Sequence, residues 1–440
     1  MTPLLTDLYE LTMAAGYFEA GLAFETAAFE LSFRSLPRDR GFVLAAGLPQ
    51  VIEFLLESRF EAADIEYLRS LPQFARVSAG FFDLLQSFRF EGDVRAVPEG
   101  TPLFAGEPAL TVRGPLWQAQ IAETFLLATI GFQTLIATKA ARVVEAAGAR
   151  AVVEFGTRRA QSPAAGVLAG RAAFIGGCAG TSNTLAGRLY GIPVYGTAAH
   201  SWVQAFPTEL EAQRRLQQLL GPSTIYLIDT YDTLEGARKA ASLGRPLWGV
   251  RLDSGDFVHL SREVRRILDD AGLSDAKIMA SSDLDEHRIT ELVERGAPID
   301  AFGVGTRLAT SADAPTISAV YKLVEIGSGG RKRYSAKFSE GKISYPGAKQ
   351  IFRQQDRDVI ACAGEQLPGE PLLEEVVRGG QPARPLPDTR AARSHAGRSV
   401  AALPAAIRRL KEPEHRRVDH SEELERLLEA ARREAKGAPA

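Results

Sequence analysis

The chain has 440 residues, 45% hydrophobic and 24% charged, with a formal net charge of −2. That length and balance provide for two or three domains with sizeable cores and speak against a nucleic-acid or anionic-membrane protein, whose surfaces carry a basic excess. Cys178 and Cys362, the two cysteines, lie far apart with no CxxC, which points to a reducing cytoplasm rather than a disulfide framework or structural zinc.

No uninterrupted apolar run has transmembrane length, and the first residues lack the basic-then-apolar layout of a signal peptide. Residues 1–115 read as an N-terminal α+β domain. Asp7–Met13 has apolar positions at helical spacing, with Thr6 as its predicted N-cap. Ala27–Arg34 alternates like a strand, Val51–Leu56 and Phe81–Phe88 read as helix pieces, and Val94–Gly100 and Ala109–Gly114 as strands bounded by Pro and Gly. Residues 116–322 open with a helical stretch, Trp117–Ala147, interrupted by Gly131.

The rhythm then becomes strand, turn, helix, repeated. Predicted strands are Ala151–Phe155, Ile192–Tyr195, Thr224–Ile228, Leu247–Leu252, Lys277–Ser281 and Asp300–Val304. Predicted helices are Thr184–Tyr190, Thr233–Leu243, Phe257–Ala271 and Leu284–Arg295. Short apolar strands alternating with helices give parallel strands covered by helices. Polar motifs follow so many different strands that an α/β fold with an irregular (β/α) barrel is favoured over a doubly wound sheet, beside a second, smaller α+β domain. Residues 323–364 form a β-rich segment returning to the N-terminal domain, with a hairpin in Lys322–Phe338 around Gly327–Gly330. Residues 365–440 are a Pro/Arg-rich extension read as linker, ending in a charged helix, Glu422–Lys436.

The chemistry sits at the strand ends. Glu154-Phe155-Gly156-Thr157-Arg158-Arg159 brings an aromatic and two guanidinium groups that can clamp a carboxylate or phosphate, or lie solvated on the surface. Gly196-Thr197-Ala198-Ala199-His200-Ser201 brings a titratable imidazole suited to acid–base chemistry, phosphoryl transfer or metal ligation, or to plain packing. No HExxH occurs and no second His is near, so a His-based metal site is disfavoured. Ile228-Asp229-Thr230-Tyr231-Asp232 offers Asp229 as a carboxylate at the strand end, with Asp232 or Thr233 capping the next helix.

Val250-Arg251-Leu252-Asp253-Ser254-Gly255-Asp256 is the densest motif. Its carboxylates can hold ribose hydroxyls or a Mg²⁺ that bridges phosphates, with Ser254 or Asp256 alternatively a cap. Ser281-Ser282-Asp283 reads as an N-cap. Gly303-Val304-Gly305-Thr306 lets backbone N–H groups approach an anion, while the third glycine of a dinucleotide fingerprint and a GxxxxGK[ST] loop are absent. Together these groups suit a phosphorylated sugar, and not hydride transfer or peptide hydrolysis.

Five of these segments in order, with Thr6-Asp7-Leu8-Tyr9-Glu10-Leu11-Thr12-Met13 the first of them, resemble the nicotinate phosphoribosyltransferase family. The others are the motifs around Phe155, His200, Arg251 and Gly303–Thr306. The resemblance runs from residue 6 to about 350. It implies a type II phosphoribosyltransferase that joins nicotinate to phosphoribosyl pyrophosphate, giving nicotinate mononucleotide and pyrophosphate in NAD synthesis. It also implies ATP as co-substrate, Mg²⁺, and a homodimer with shared sites.

By the same resemblance His200 is the phosphorylated histidine. Tyr9, Thr197 and Arg251 contact nicotinate, with Tyr9 reaching the partner's barrel. Thr306 contacts the phosphoribosyl substrate and Phe155 stacks on the pyridine ring. On chemical grounds Asp253 joins His200 as a catalytic group holding ribose hydroxyls, Arg158 is a further cation for the carboxylate, and the amides at Gly303 and Gly305 face phosphate. Mg²⁺ enters on the substrate phosphates, with Asp256 or Asp229 as protein ligands. The rivals are a nicotinamide phosphoribosyltransferase, which takes a neutral amide, and a non-catalytic nucleotide-binding protein on the same barrel.

Overall fold

The computed structural model describes residues 1–328, 331–339 and 342–437. The chain divides into two compact units: residues 1–134, 316–387 and 399–440 form one, and residues 135–315 with 388–398 the other. The first, α+β unit is the larger of the two, against the smaller second domain expected. Most of the region read as linker or extension belongs to it and residues 388–398 to the other unit, and the sequence carries no local sign of which unit each segment joins.

Its main sheet has seven antiparallel strands, in the order Arg331–Tyr334, Ala319–Ser328, Thr26–Phe33, Pro108–Pro115, Asp93–Ala96, Glu374–Arg378 and Gln381–Pro382. The Thr26–Phe33 strand lies inside the sheet, paired on both sides, and is buried almost throughout rather than on alternate residues. Phe29 stacks on Tyr321 with ring centroids 5.0 Å apart; burying such a side chain contributes roughly 1.5–3 kcal/mol. Glu30, the charge on this strand, is matched by Lys349, whose Nζ lies 2.6 Å away, as a buried carboxylate requires. The predicted hairpin is present as the paired strands Ala319–Ser328 and Arg331–Tyr334; its Gly329–Gly330 turn lies outside the described residues.

The first helix runs Leu8–Glu19. Thr6 is not its cap: the N-cap position is Asp7, and the Thr6 hydroxyl donates to the Ile121 carbonyl instead, at 3.2 Å. Glu10 is fully buried on this helix. Burial, then the Glu123 carboxylate, raises its pKa from 4.5 to about 7. A carboxyl raised in the folded state gives stability that is complete below pH 4.5 and lost as pH rises through about 7. Replacing Glu10 with Gln is therefore expected to shift the difference in melting temperature in the variant's favour between about pH 5 and about pH 8. A difference that stays flat across that range in thermal melts counts against the burial argument.

The second unit is built on six parallel strands in the order Gly180–Thr181, Ala151–Glu154, Ala301–Val304, Lys277–Ser281, Gly249–Leu252 and Ile225–Leu227. Read cyclically, this order follows the chain, with the first and last strands, Ala151–Glu154 and Ala301–Val304, paired. A closed barrel is not established: among the described residues no pairing joins the Ile225–Leu227 edge to the Gly180–Thr181 edge. Val153, Ile225, Met279 and Ala301, from four of these strands, pack as one cluster with Phe155 and Trp248 against it.

Two readings of this unit need correction. The expected Ile192–Tyr195 strand reduces to a single bridge between Val194 and Thr181. Pro193 has no N–H to donate, and Val194 and Tyr195 are about half exposed, so a longer ladder has little apolar burial to gain. The strand that does pair here, Gly180–Thr181, carries no alternating pattern; Gly180 is needed because a Cβ there would come within 2.3 Å of the Pro193 carbonyl.

Helices Thr184–Tyr190 and Thr233–Leu243 have the predicted bounds. The region read as linker contains a helix, Thr389–Ala401. Within this second unit Arg393 donates from Nη2 to the Gly177 carbonyl at 3.0 Å, and Arg390 to that of Gly191 at 2.8 Å. The Leu116–Ala147 stretch is long and apolar enough to cross a membrane, but 61% of its apolar window is buried inside the protein. Within it, Lys139 and Arg142 are ion-paired to Glu286.

Candidate active site

The site is assembled at the C-terminal ends of the parallel strands, where the βα turns deliver polar side chains from several strands at once. Arg251 is its centre. It lies on the Gly249–Leu252 strand with its side chain only 12% exposed. One Nη1 hydrogen goes to the Thr197 hydroxyl, and Nη2 lies 3.3 Å from Asp253 Oδ1. Its Nε is buried with no hydrogen-bond partner. Burial pushes the Arg251 guanidinium down, the carboxylates of Asp253 and Asp229 oppose this, and the charge of Arg158 adds to it. Arg251 thus keeps an unused donor, and a second guanidinium, that of Arg158, is near enough for its charge to be felt there. This is an arrangement for an anion.

Asp253 is held from two further sides. The Ser281 hydroxyl donates to its Oδ1, and its backbone N–H donates to Asp229 Oδ2 at 2.8 Å. The same Asp229 oxygen accepts from the Ser254 hydroxyl at 2.7 Å. Asp229 therefore ties the end of its own strand to the Asp253–Ser254 turn, and its other oxygen, Oδ1, is buried without a partner. His200 opens the short helix His200–Gln204 with its side chain 43% exposed. Its Nδ1 lies 3.1 Å from the Thr230 hydroxyl, and its Nε2 is 3.9 Å from Asp253 Oδ2.

Phe155 lies across Gly303: a Cβ there would come within 2.6 Å of the ring, so only glycine lets the aromatic rest on the neighbouring strand. Gly305 precedes the short helix Thr306–Ala309, and its backbone at φ −105°, ψ −107° turns the chain into it. Arg158 is exposed beside this end of the sheet, in the Thr157–Arg159 turn.

Of the residues singled out from the sequence, the sheet brings His200, Asp253, Arg251, Thr197, Phe155, Arg158, Gly303, Gly305, Thr306 and Asp229 to its strand ends. Two behave otherwise. Asp256 is the N-cap of Phe257–Asp270, accepting from Val258 N at 3.0 Å and His259 N at 3.3 Å, and these amide bonds hold its carboxyl below the usual range. Tyr9 belongs to the other unit and is 47% exposed; burial, then the charges of Glu123 and Glu10, push the pKa of its hydroxyl up.

The Ser281–Asp283 turn is not a cap. Asp285 caps the next helix, while Ser282 and Asp283 take φ of 90° and 37°, a conformation that costs energy and recurs at functional turns. Thr230, Ser254 and Ser281 were not predicted as contacts. Each stood in a quoted strand-end turn, where a hydroxyl beside a strand terminus was the available signal. Among the described residues no group of three or more His, Cys, Asp or Glu side chains could hold a metal ion. The unpartnered Asp229 oxygen and the half-open Asp253 suit a Mg²⁺ that keeps most of its other ligands from substrate phosphates and water.

Comparison with known proteins identifies related sequences and structures. Three family models match in succession: the nicotinate phosphoribosyltransferase N-terminal domain over residues 4–131, the nicotinate phosphoribosyltransferase family over 151–333, and its C-terminal domain over 347–428. A nicotinate phosphoribosyltransferase of Mycobacterium tuberculosis is 46% identical over 93% of this chain and 89% of its own length. That of Bacillus subtilis is 41% identical over 82% of this chain and 76% of its own. The crystal structure of human nicotinic acid phosphoribosyltransferase superposes with a TM-score of 0.85 at 31% identity, covering 97% of this chain and 99% of the human one. A nicotinate-nucleotide pyrophosphorylase from Pyrococcus furiosus superposes with a TM-score of 0.74 at 28% identity, over 91% and 95% of the two chains. With all three successive domain models matched and relatives aligned along nearly its whole length, the chain belongs to the nicotinate phosphoribosyltransferase family.

Proposed function

We propose that this chain joins nicotinate to phosphoribosyl pyrophosphate in NAD biosynthesis, forming nicotinate mononucleotide and pyrophosphate, with ATP hydrolysis coupled through phosphorylation of His200. The observation that carries the reading is the unpaired Nε of the buried Arg251, whose guanidinium also feels the charge of Arg158. A carboxylate on the ring supplies both an acceptor and a compensating negative charge, whereas the amide of nicotinamide offers a carbonyl acceptor without the charge.

In the transfer step the pyridine nitrogen attacks the anomeric carbon of the ribose. A C–N bond forms, the C–O bond breaks, and the electron pair leaves with pyrophosphate. Positive charge that develops on the ribose favours a nearby carboxylate, and Asp253, fixed by Ser281 and Arg251, can also accept from ribose hydroxyls. Backbone N–H groups at Gly303, Gly305 and Thr306 and the Thr306 hydroxyl suit the 5′-phosphate. Asp229 and Asp253 are the residues that would hold a Mg²⁺, and when bound it would supply positive charge to the leaving pyrophosphate.

For His200, a proton on Nδ1 directed at the Thr230 hydroxyl leaves the Nε2 lone pair as the phosphoryl acceptor. Transfer of the ATP γ-phosphoryl group to Nε2 releases ADP, and water later releases phosphate from it. The added charge beside Asp253 alters the substrate contacts there.

The cyclic strand order and the four-strand cluster support a sheet wrapped as an irregular barrel. Exposed Leu5, Leu8, Tyr9 and Met13 at the start of the other unit support a homodimer in which Tyr9 completes the partner's site. Unpaired Cys178 and Cys362 fit a cytoplasmic protein.

Turnover measured side by side with nicotinate and nicotinamide, each with and without ATP, tests the activity; preference for the amide would overturn it. His200→Ala is expected to abolish stimulation by ATP and leave the melting temperature within about 2 °C, since the side chain is partly exposed and outside the core. Unchanged stimulation would sink the phosphohistidine.

A further inference from the structure

Beneath the Phe155–Arg158 turn lies a ring of hydrogen bonds that no substrate contact explains. Glu154 ends its strand fully buried, between Thr181 on one neighbouring strand and Val304 on the other. Its Oε1 accepts from the Gly156 N–H and its Oε2 from the Thr181 hydroxyl at 2.6 Å. The Thr181 oxygen in turn accepts from Asn183 N at 3.0 Å. Asn183 caps the Thr184–Tyr190 helix through Oδ1, bonded to Ala186 N at 2.8 Å, and donates from Nδ2 to the Thr157 hydroxyl oxygen at 3.1 Å. Thr157 is one residue past Gly156, so the ring closes on the turn itself.

The turn has little room to relax. A Cβ on Gly156 would lie 2.3 Å from Ala309 Cβ and 2.8 Å from the Gly305 carbonyl. Thr181 is as confined: a Cβ on Gly170 would reach its hydroxyl at 3.0 Å. Phe155 is tied to the next strand by its N–H to the Val304 carbonyl at 2.8 Å. Burial pushes the Glu154 carboxyl up, and the bonds from Thr181 and Gly156 oppose that rise.

We propose that Glu154, Thr181 and Asn183 are positioning residues for the pyridine substrate: their ring fixes the turn from which Phe155 and Arg158 reach its face and its carboxylate. This deepens the function proposed above and rests on it. A small displacement of an orienting group is costly, because the reactants are aligned only within a narrow range of geometry. A ring that serves stability alone would lower the melting temperature without favouring one substrate over the other.

The test uses Thr181→Val, which keeps the shape and removes the donor, Thr157→Val, which opens the ring from its other side, and Thr181→Ser, which restores the hydroxyl. Both valine variants are expected to raise the KM for nicotinate roughly tenfold or more, as misplacement of a clamp does, with the KM for phosphoribosyl pyrophosphate changed less than about twofold. The serine variant should return to near the wild-type KM. Equal rises in both KM values, or a lower melting temperature with an unchanged nicotinate KM, would overturn the proposal. Crystal structures of wild type and Thr181→Val decide the positioning separately from the assay: the Gly156–Arg159 turn should be displaced in the variant, and an undisplaced turn also overturns it. Wild-type protein inactive on nicotinate would instead overturn the function, and the crystallographic comparison would still judge the ring.

Discussion

Replacing Arg251 with alanine is expected to raise the KM for nicotinate about a hundredfold, with a much smaller effect on thermal stability. Hydrogen bonds between charged partners contribute roughly 1.5–3 kcal/mol, and about 1.4 kcal/mol corresponds to tenfold in an equilibrium. The loss extends beyond one bond. Without the guanidinium, the carboxylates of Asp253 and Asp229 are offset at an incoming carboxylate only by the exposed Arg158, and Thr197 loses the donor that joins its turn to this strand.

Stability changes less because burying the charge is itself unfavourable, and because Asp253 keeps the Ser281 hydroxyl. Arg251→Lys should rescue poorly: an ammonium reproduces the charge but not the planar fork that spans Thr197 and Asp253. Kinetics at saturating phosphoribosyl pyrophosphate, with a thermal melt on the same sample, measure both quantities. A KM within about threefold of wild type would remove Arg251 from the carboxylate site.

The second large effect is on stability, at Lys139. Its Nζ lies 2.5 Å from Glu286 Oε2 and 2.7 Å from Asp313 Oδ1, while Arg142 Nε reaches Glu286 Oε1 at 2.9 Å. Lys139 is 2% exposed and Glu286 fully buried. Burial alone would push the Glu286 carboxyl up; Lys139 and Arg142 outweigh it and hold it below its usual value. Removing one partner of a buried pair costs roughly 3–5 kcal/mol, because the other charge is left uncompensated.

At roughly 2–4 °C per kcal/mol for a unit of this size, Lys139→Met should lower the melting temperature by about 10 °C. The companion Glu286→Met should be similarly harmful alone. Because Glu286 also pairs with the buried Arg142, the triple variant that adds Arg142→Met should recover much of the loss, since apolar groups of matching size are often as stable as a buried ionic triad. Strictly additive effects in calorimetry would show that the groups are not coupled.

The strand-end motifs were legible because the requirements are local. A short apolar run followed by Gly, Asp or Arg marks both the end of a strand and the start of a binding turn, and Arg251, Asp253 and His200 all announced themselves in this way. What joined them was not legible. Arg251 meets Thr197 and Ser281 meets Asp253 across residues far apart in sequence, and such contacts depend on strand order and register. Asp229 stood out as a strand-end carboxylate, but nothing local shows that it ties two strand ends together, while Asp256 in the denser motif caps a helix. The Gly180–Thr181 strand left no periodic trace, because two residues cannot show a period. With it went any sequence sign of the ring that runs through Thr181 and Asn183.

The Thr26–Phe33 strand has a consequence for how the chain is made. Its partner on one side, Pro108–Pro115, is synthesised soon after it, but its partner on the other side is Ala319–Ser328. At synthesis rates of about 5–20 residues per second, that edge waits on the order of tens of seconds for its complement. During that time a strand with five apolar residues of eight presents unpaired N–H and C=O groups, a template on which another nascent chain can add. A chain stalled on the ribosome before residue 319 carries the same open edge, so shielding by chaperones matters most for the earliest-made part of this protein.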